Sequence, residues 1–110
     1  MAISEITVHE LVAAATAAGG RVPLVDVREL DEWDDGHVAY ARHVALGTVP
    51  DHLDAFGVDG ASEPTYVICK AGGRSMRACE FAVDHGKNVV NVAGGMMAWS
   101  DAGFDATVET

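Results

Sequence analysis

The sequence has few cysteines, few lysines and little positive charge, and each shortage excludes a class of protein. Cys69 and Cys79 are the only cysteines in 110 residues, so a framework of disulfides does not hold the fold together. The formal net charge is −10, and such a surface repels nucleic acid and anionic lipid. Lysine occurs only at Lys70 and Lys87 beside abundant alanine, a composition typical of a bacterial protein encoded by a GC-rich genome.

Long apolar runs are also missing. No segment approaches the roughly 20 apolar residues that a membrane-spanning helix needs. Residues 1–5 lack the basic start and the apolar stretch of a secretory signal. We therefore expect a cytoplasmic protein that binds neither membranes nor nucleic acid. Apolar residues still make up 49% of the chain, which is enough for one core, so we expect a single domain over residues 1–110.

Short apolar segments alternate with segments of helical character along the chain. Strands are predicted at Val22–Val27, Arg42–Leu46, Thr65–Ile68 and Val89–Val92. Helices or helical turns are predicted at Thr7–Ala18, Glu29–Asp35, Asp51–Phe56, Ser75–His85 and Met96–Ala102. This alternation predicts an α/β domain with a mainly parallel central sheet and helices on both faces.

The segment that begins at Cys69 has the composition of a nucleophilic site. Cys69 ends a predicted strand, which is where open parallel sheets bind their ligands. Gly72 and Gly73 allow the backbone to curl, so that successive N–H groups point at one spot, and the helix predicted from Ser75 adds the positive end of its dipole. Three of the seven basic residues lie within eight positions here: Lys70, Arg74 and Arg77. Because these features favour a thiolate, we interpret Cys69 as a nucleophile rather than as an ordinary core residue.

Other candidate groups have simpler interpretations. No pair of histidines has metal-ligand spacing, so neither a metal nor a cofactor is expected. Cys79 lies on the helix predicted after Cys69, and we interpret it as an ordinary half-buried residue. The alternative is that it resolves an oxidised or persulfidated Cys69 by forming a disulfide with it. The acidic run from Glu29 to Asp35 is interpreted as a solvated helix face, from which Glu32 would be excepted if it pairs with a buried arginine.

Four segments, in this order, carry a resemblance to the rhodanese-like family. They are Val25-Asp26-Val27-Arg28, then Glu32-Trp33 with Gly36-His37-Val38, then Cys69-Lys70-Ala71-Gly72-Gly73-Arg74-Ser75, and finally Asn91-Val92-Ala93-Gly94-Gly95-Met96-Met97-Ala98-Trp99. They resemble the family's Asp-x-Arg strand end, its acidic-aromatic pair and Gly-His-Ile step, its Cys-x-x-Gly-x-Arg-Ser loop and its Gly-Gly-x-x-Ala-Trp element. Tyr40 and Ala45 stand where the family usually has a glycine and a proline, which concerns the geometry of that turn and not the chemistry.

The resemblance implies a rhodanese-like fold and a thiosulfate sulfurtransferase-like enzyme that carries a persulfide on Cys69. The thiolate would take the outer sulfur of a small-molecule donor such as thiosulfate and pass it to cyanide or a thiol. The loop that would cradle the persulfide consists of Lys70, Ala71, Gly72, Gly73, Arg74 and Ser75. Lys70 and Arg74 would hold the anionic donor, although Arg74 is equally placed to brace the loop. Asp26 and Arg28 would support the site from a neighbouring strand end, or serve the structure alone.

Two other functions remain open at this point. The first is a sulfur carrier or docking module that serves a partner protein without turnover. A protein-borne persulfide likewise remains an alternative to a small sulfur donor or acceptor. The second is a phosphatase or arsenate reductase, which the loop length disfavours, because such enzymes use Cys-x-x-x-x-x-Arg and this chain has Ser75 where their arginine would stand.

Overall fold

A computed structural model describes residues 3–108, so Met1 and Ala2 of the N-terminal segment analysed above lie outside the described residues, as do 109–110. The strands in this range are β1 (Glu5–Ile6), β2 (Leu24–Asp26), β3 (Arg42–His43), β4 (Thr65–Ile68) and β5 (Val89–Val92). The α-helices are α1 (Val8–Ala17), α2 (Leu30–Asp34), α3 (Gly73–Asp84) and α4 (Gly95–Asp101). Two 3₁₀ helices cover Leu46–Asp51 and Leu53–Phe56. No helix among these residues has the length and apolar character needed to cross a membrane.

The five strands form one sheet in the order β1-β5-β4-β2-β3, and every neighbouring pair is parallel. In the central strands Val67 pairs with Val25 on one side and with Asn91 on the other. Because parallel strands all point the same way, the segments that follow β2, β4 and β5 emerge together at the carboxyl end of the sheet. The residues predicted to form the site lie at this end.

Helices cover both faces of the sheet, as the α/β prediction requires. On one face α1 and α4 pack with Leu11, Val92 and Trp99 in a buried cluster. On the other face α3 and the 3₁₀ segments form a second cluster that includes Phe56 and Val67. Since successive strand residues point to opposite faces, a strand covered on both faces reads as a continuous apolar run. The predicted α/β fold with a parallel sheet and helices on both faces is therefore confirmed.

The start of α1 follows the predicted capping pattern. The Thr7 hydroxyl accepts a hydrogen bond from the Glu10 backbone N–H at 3.1 Å, and the Glu10 carboxylate accepts one from the Thr7 N–H at 2.9 Å. Two backbone donors that a helix N-terminus leaves without partners are satisfied in this way. The capping box therefore fixes where α1 begins.

Several boundaries differ from those predicted. The helix predicted from Ser75 begins two residues earlier, at Gly73, because Gly72 adopts φ +112° and turns the chain straight into α3. Of the predicted strand Arg42–Leu46, only Arg42–His43 is regular. The backbone N–H groups of Val44 and Leu46 still bond to carbonyls of residues 26 and 27, but the chain then turns into 3₁₀ structure. The edge strand β1 was not predicted, since two residues are too few to show a periodic pattern.

The N-terminus of α4 rests directly on the backbone that follows β4. The Met96 N–H donates to the Cys69 carbonyl at 2.8 Å, and the Met97 N–H donates to the Lys70 carbonyl at 2.9 Å. This approach requires glycine at Gly95, which has φ +55° and whose missing Cβ would clash with the Cys69 carbonyl oxygen and lie 2.7 Å from the Lys70 carbonyl carbon. The contact ties the predicted cysteine loop to α4.

We expect Gly95→Ala to lower the free energy of unfolding by roughly 2–4 kcal/mol, because it adds a steric clash to an unfavourable φ. Gly103→Ala is the matched control, since Gly103 has φ +80° with no atom within 4 Å of the added Cβ, and it should cost about 1 kcal/mol. Urea denaturation of both variants measures the difference. Equal losses would mean that α4 can shift away from the loop at little cost.

Candidate active site

Cys69 follows β4 directly and is almost fully buried, with 1% of its surface exposed. The Gly72 N–H donates a hydrogen bond to its Sγ at 3.1 Å, and the Ser75 hydroxyl donates one at 3.3 Å. The left-handed Gly72 directs its N–H back at the sulfur, while the first turn of α3 carries Ser75 to the same atom. The structure thus brings the middle and the last residue of the loop, Gly72 and Ser75, to the Cys69 sulfur.

The hydrogen bonds to Cys69 outweigh the effect of its burial. Burial raises the pKa of the Cys69 thiol. The hydrogen bonds from the Ser75 hydroxyl and from the backbone amides of Ser75, Gly72 and Ala71 lower it by more than burial raises it, so the net shift of the pKa is downward. Amide and hydroxyl donors favour the charged form because they interact more strongly with a thiolate than with a thiol. The site therefore stabilises a sulfur anion chiefly through dipoles of its own loop.

Ser75 has two acceptors within reach of its single proton. Its Oγ lies 3.3 Å from the Cys69 Sγ and 3.2 Å from the Gly72 carbonyl oxygen. A hydroxyl donates only one hydrogen bond at a time. The stability of the thiolate consequently depends on whether the Gly72 carbonyl has other donors.

Arg74 braces the loop through a bidentate ion pair with Glu32, which lies 42 residues earlier on α2. The Nη1–Oε1 and Nη2–Oε2 distances are 2.6 and 2.8 Å. The Arg74 hydrogen bonds lower the pKa of Glu32 from 4.5 to about 2, against the opposing effect of its partial burial. Of the two roles left open by the sequence, bracing is the one for which the structure provides contacts, and Glu32 is the exception within the acidic run.

Asp26 and Arg28 form a second bidentate pair at the end of β2. Arg28 donates from Nε and Nη2 to the Asp26 carboxylate at 2.8–3.1 Å, and its backbone N–H donates to the same carboxylate at 3.0 Å. Nη2 also donates to the Gly36 carbonyl at 2.8 Å. The pair therefore fixes the turn after α2 against the end of β2, and support of the cysteine site by these two residues stays a prediction.

A cavity of about 370 Å³ opens beside the loop. Its lining includes Arg28, Lys70, Met97, Asp35 and Asp101. Within residues 3–108 Lys70 makes no ion pair, and the Nη1 of Arg28 makes no hydrogen bond. Of its two cations, Arg28 is thus paired with Asp26, and Lys70 is unpaired within this range, beside carboxylates and an exposed methionine side chain.

Cys79 lies on α3 in the buried cluster below the loop and is 0% exposed. Burial raises the pKa of its thiol to about 12, with further contributions from the negative charges of Cys69, Glu5 and Glu80. The structure thus places Cys79 as a core residue of α3, more deeply buried than the half-buried position that the sequence favoured. No group of three or more His, Cys, Asp or Glu side chains in the described part of the chain is placed to hold a metal ion.

Some residues that shape the site were not selected from the sequence. Gly95 was named only as part of the closing family segment, although its close approach to the loop needs the absence of a side chain. Asn91 was assigned to a strand and given no role, yet its side-chain amide reaches the Gly72 carbonyl at 3.3 Å. The available signal was a single amide within the run Val89-Val90-Asn91-Val92, where a strand buried on both faces is otherwise apolar.

The Glu32–Arg74 pair should make stability depend on pH in a defined window. Since the pKa of Glu32 is lowered in the folded state, the pair contributes fully above pH 4.5, and the contribution disappears as the pH falls towards 2. We expect Glu32→Gln to lose on the order of 1–2 kcal/mol of unfolding free energy at pH 7 and almost nothing near pH 2. Thermal unfolding from pH 2 to 7 measures this difference.

Asp59→Asn is the control for that series. Asp59 pairs with Lys87 at 2.7 Å, but its side chain is 78% exposed, so solvent screens the pair. Its pH-dependent contribution should be much smaller than that of Glu32. A loss in Glu32→Gln that is the same at every pH would contradict the lowered pKa.

Comparisons with known proteins point to one family. A model of the rhodanese-like domain family matches residues 7–102. The putative sulfurtransferase YtwF of Bacillus subtilis (strain 168) is 40% identical over 77 residues, which are 69% of this chain and 71% of YtwF. The thiosulfate sulfurtransferase GlpE of Pseudomonas putida (strain GB-1) is 32% identical over 77 residues, which are 69% of this chain and 67% of GlpE. The chain spans less than two thirds of some other relatives, 40% in one case.

A solved structure shows the same fold over the length of the chain. The crystal structure of a rhodanese-like domain protein from Staphylococcus aureus aligns with a TM-score of 0.84 and 32% identity, and the alignment covers 98% of this chain and 100% of that one. The family model, the sequence relatives and the solved structure are in agreement. The chain therefore belongs to the rhodanese-like domain family, as a relative of its sulfurtransferases.

Proposed function

We propose that the protein is a sulfurtransferase that carries sulfane sulfur as a persulfide on Cys69. The observation that supports this most strongly is the convergence of the Gly72 amide and the Ser75 hydroxyl on the Cys69 Sγ. These donors stabilise a thiolate before the reaction and accommodate the negative charge of a persulfide after it. The same groups therefore serve both resting forms of the enzyme.

The reaction consists of two displacements at sulfur. In the first, the Cys69 thiolate attacks the outer sulfur of thiosulfate, a new S–S bond forms, and the S–S bond of thiosulfate breaks, so that sulfite leaves with the electron pair. In the second, the carbon of cyanide, or the sulfur of an acceptor thiolate, attacks the terminal sulfur of the persulfide. The bond to Cys69 breaks and the Cys69 thiolate is restored. No external oxidant or reductant is needed.

The cavity beside the loop suits the anionic end of a small donor. Lys70 lines it and makes no ion pair among residues 3–108, so its ammonium group is available to a sulfonate. Arg28 and Arg74, by contrast, are paired with Asp26 and Glu32. Because Cys69 is only 1% exposed, a donor must present a slender terminal sulfur. Thiosulfate meets both requirements, and the name of the relative GlpE supports it. A persulfide borne by a partner protein would also reach the thiol if it projects from that surface.

The shape of the loop favours sulfur over phosphate. Ser75 stands where phosphatases and arsenate reductases of this loop type have their arginine, and its hydroxyl is hydrogen-bonded to the nucleophile. The arginine that is present, Arg74, points to Glu32. The loop thus lacks a guanidinium that could hold a tetrahedral oxyanion over Cys69.

Cys69 should gain one sulfur atom from thiosulfate, and Cys79 should gain none. Intact-mass measurement should show the addition after incubation with thiosulfate and its removal by cyanide. Cys69→Ser should abolish the gain. Cys79→Ser, the matched control, should retain it, because the buried thiol that it removes is protonated in the native protein and carries no sulfur. Sulfur loading of Cys69→Ser would refute the assignment. Loading of the wild type without turnover would favour a sulfur carrier.

The charges around the cavity should control the apparent affinity for thiosulfate in opposite directions. Lys70→Ala removes a cation from the cavity and should raise the KM for thiosulfate about fivefold, and added salt should reduce the difference. Asp101→Asn removes a carboxylate from the same cavity and should lower the KM about twofold. Steady-state kinetics on folded variants measures both effects. An unchanged KM in both variants would favour a neutral or protein-borne donor.

A further inference from the structure

Asn91 is a polar residue in a layer of apolar side chains. It is 1% exposed, and it lies two residues from Val89, so both side chains point to the face of the sheet that α3 covers. Val89 belongs there to the cluster that includes Val67 and Ala78. A valine or leucine would continue this layer, so the amide requires another explanation.

The Asn91 amide connects the edge of the sheet with the cysteine loop. Its Nδ2 donates to the Glu5 carboxylate at 2.8 Å and to the Gly72 carbonyl at 3.3 Å. Glu5 lies on β1, which pairs with β5 at the same residue. A single NH₂ group thus joins β1, β5 and the segment that holds Cys69.

The orientation of the amide has a cost. The Asn91 Oδ1 is buried and has no hydrogen-bond partner among residues 3–108, which typically costs about 1–3 kcal/mol. Rotating the amide by half a turn would place this oxygen against the two acceptors, the Glu5 carboxylate and the Gly72 carbonyl. The amide is therefore held with its donors towards the loop even though its acceptor stays unpaired.

The Gly72 carbonyl is the point at which this contact affects the sulfur. It lies 3.1 Å from the Met76 N–H, 3.3 Å from the Asn91 Nδ2 and 3.2 Å from the Ser75 Oγ. A carbonyl oxygen has two lone pairs. When Met76 and Asn91 occupy both, the single Ser75 proton has its better acceptor in the Cys69 Sγ. Without Asn91, the Gly72 carbonyl would compete for that proton.

We propose that Asn91 is a positioning residue for sulfur transfer, which, held by Glu5, occupies the Gly72 carbonyl and so directs the Ser75 hydroxyl to Cys69. This rests on the proposed function of Cys69. Asn91 touches neither the sulfur nor a substrate and acts only through Gly72 and Ser75. The contact also restrains Gly72, whose φ of +112° leaves its two peptide planes little steric restraint.

The test is the pH dependence of Cys69 alkylation, measured in a Cys79→Ser background so that one thiol reacts. Asn91→Leu should raise the midpoint of this titration by about one pH unit, because one hydrogen bond to the thiolate is lost. Its stability should equal or exceed that of the parent, since the unpaired oxygen is removed. Sulfur transfer should slow through kcat, with the KM for thiosulfate little changed. Glu5→Ala should shift the midpoint less, in the same direction.

Two further variants keep the outcome decisive. Asn91→Asp has nearly the same size but presents acceptors to Glu5 and Gly72, so it should raise the midpoint at least as far as Asn91→Leu. It also serves if the leucine variant does not fold. Asn88→Ala is the matched control, since it breaks the Asn88–Ala61 hydrogen bond of 2.9 Å away from the loop. It should lower stability and leave the midpoint unchanged.

The results separate this inference from the proposed function. If the parent protein loads no sulfur, the proposed function fails whatever Asn91 does. If the parent loads sulfur and both Asn91 variants titrate at the parent's midpoint with reduced stability, Asn91 is merely structural and the inference is overturned. A raised midpoint in both Asn91 variants, with none in Asn88→Ala, supports it.

Discussion

A sulfur anion under an almost closed surface has to be stabilised by groups that are themselves fixed in place. Burial disfavours ionisation of Cys69, whereas hydrogen bonds from backbone amides and one hydroxyl favour it. Such dipoles are effective only when their directions are set before the charge appears. Much of the local architecture can be understood from this requirement. Gly72 turns its amide back on the sulfur, α3 begins at once, and α4 is pressed onto the loop from the other side.

The charged residues of the site are largely used to hold that backbone. The Arg74–Glu32 pair joins α3 to α2, and the Arg28–Asp26 pair joins the end of β2 to the turn after α2. Arginine suits this task because its planar fork makes two parallel hydrogen bonds to a carboxylate. In a protein with a strong excess of acid, two carboxylates near Cys69 are thereby neutralised by arginines, and Lys70 is exposed to solvent.

The sequence predicted the position of Cys69, its loop and the parallel sheet, because these depend on local signals. A buried apolar run, a cysteine at its end and a pair of glycines occupy neighbouring positions. Contacts between distant segments were harder to predict. The partner of Arg74 lies 42 residues away in a run of similar acids. Glu32 was named there as the acid that could pair with an arginine, but the sequence did not show which arginine it would meet. Gly95 has the same difficulty, since its need for a missing side chain comes from the loop that it meets.

The second thiol has a consequence for the chemical durability of the protein. Burial raises the pKa of the Cys79 thiol to about 12, so this thiol is protonated at neutral pH, and its side chain is closed to solvent. Peroxides convert a reactive thiolate first to a sulfenic acid and then, irreversibly in most proteins, to higher acids unless another thiol intercepts it. A buried, protonated thiol at Cys79 is poorly suited to intercept a sulfenic acid on Cys69. Thiols from the surroundings are then better placed than Cys79 to restore an oxidised Cys69.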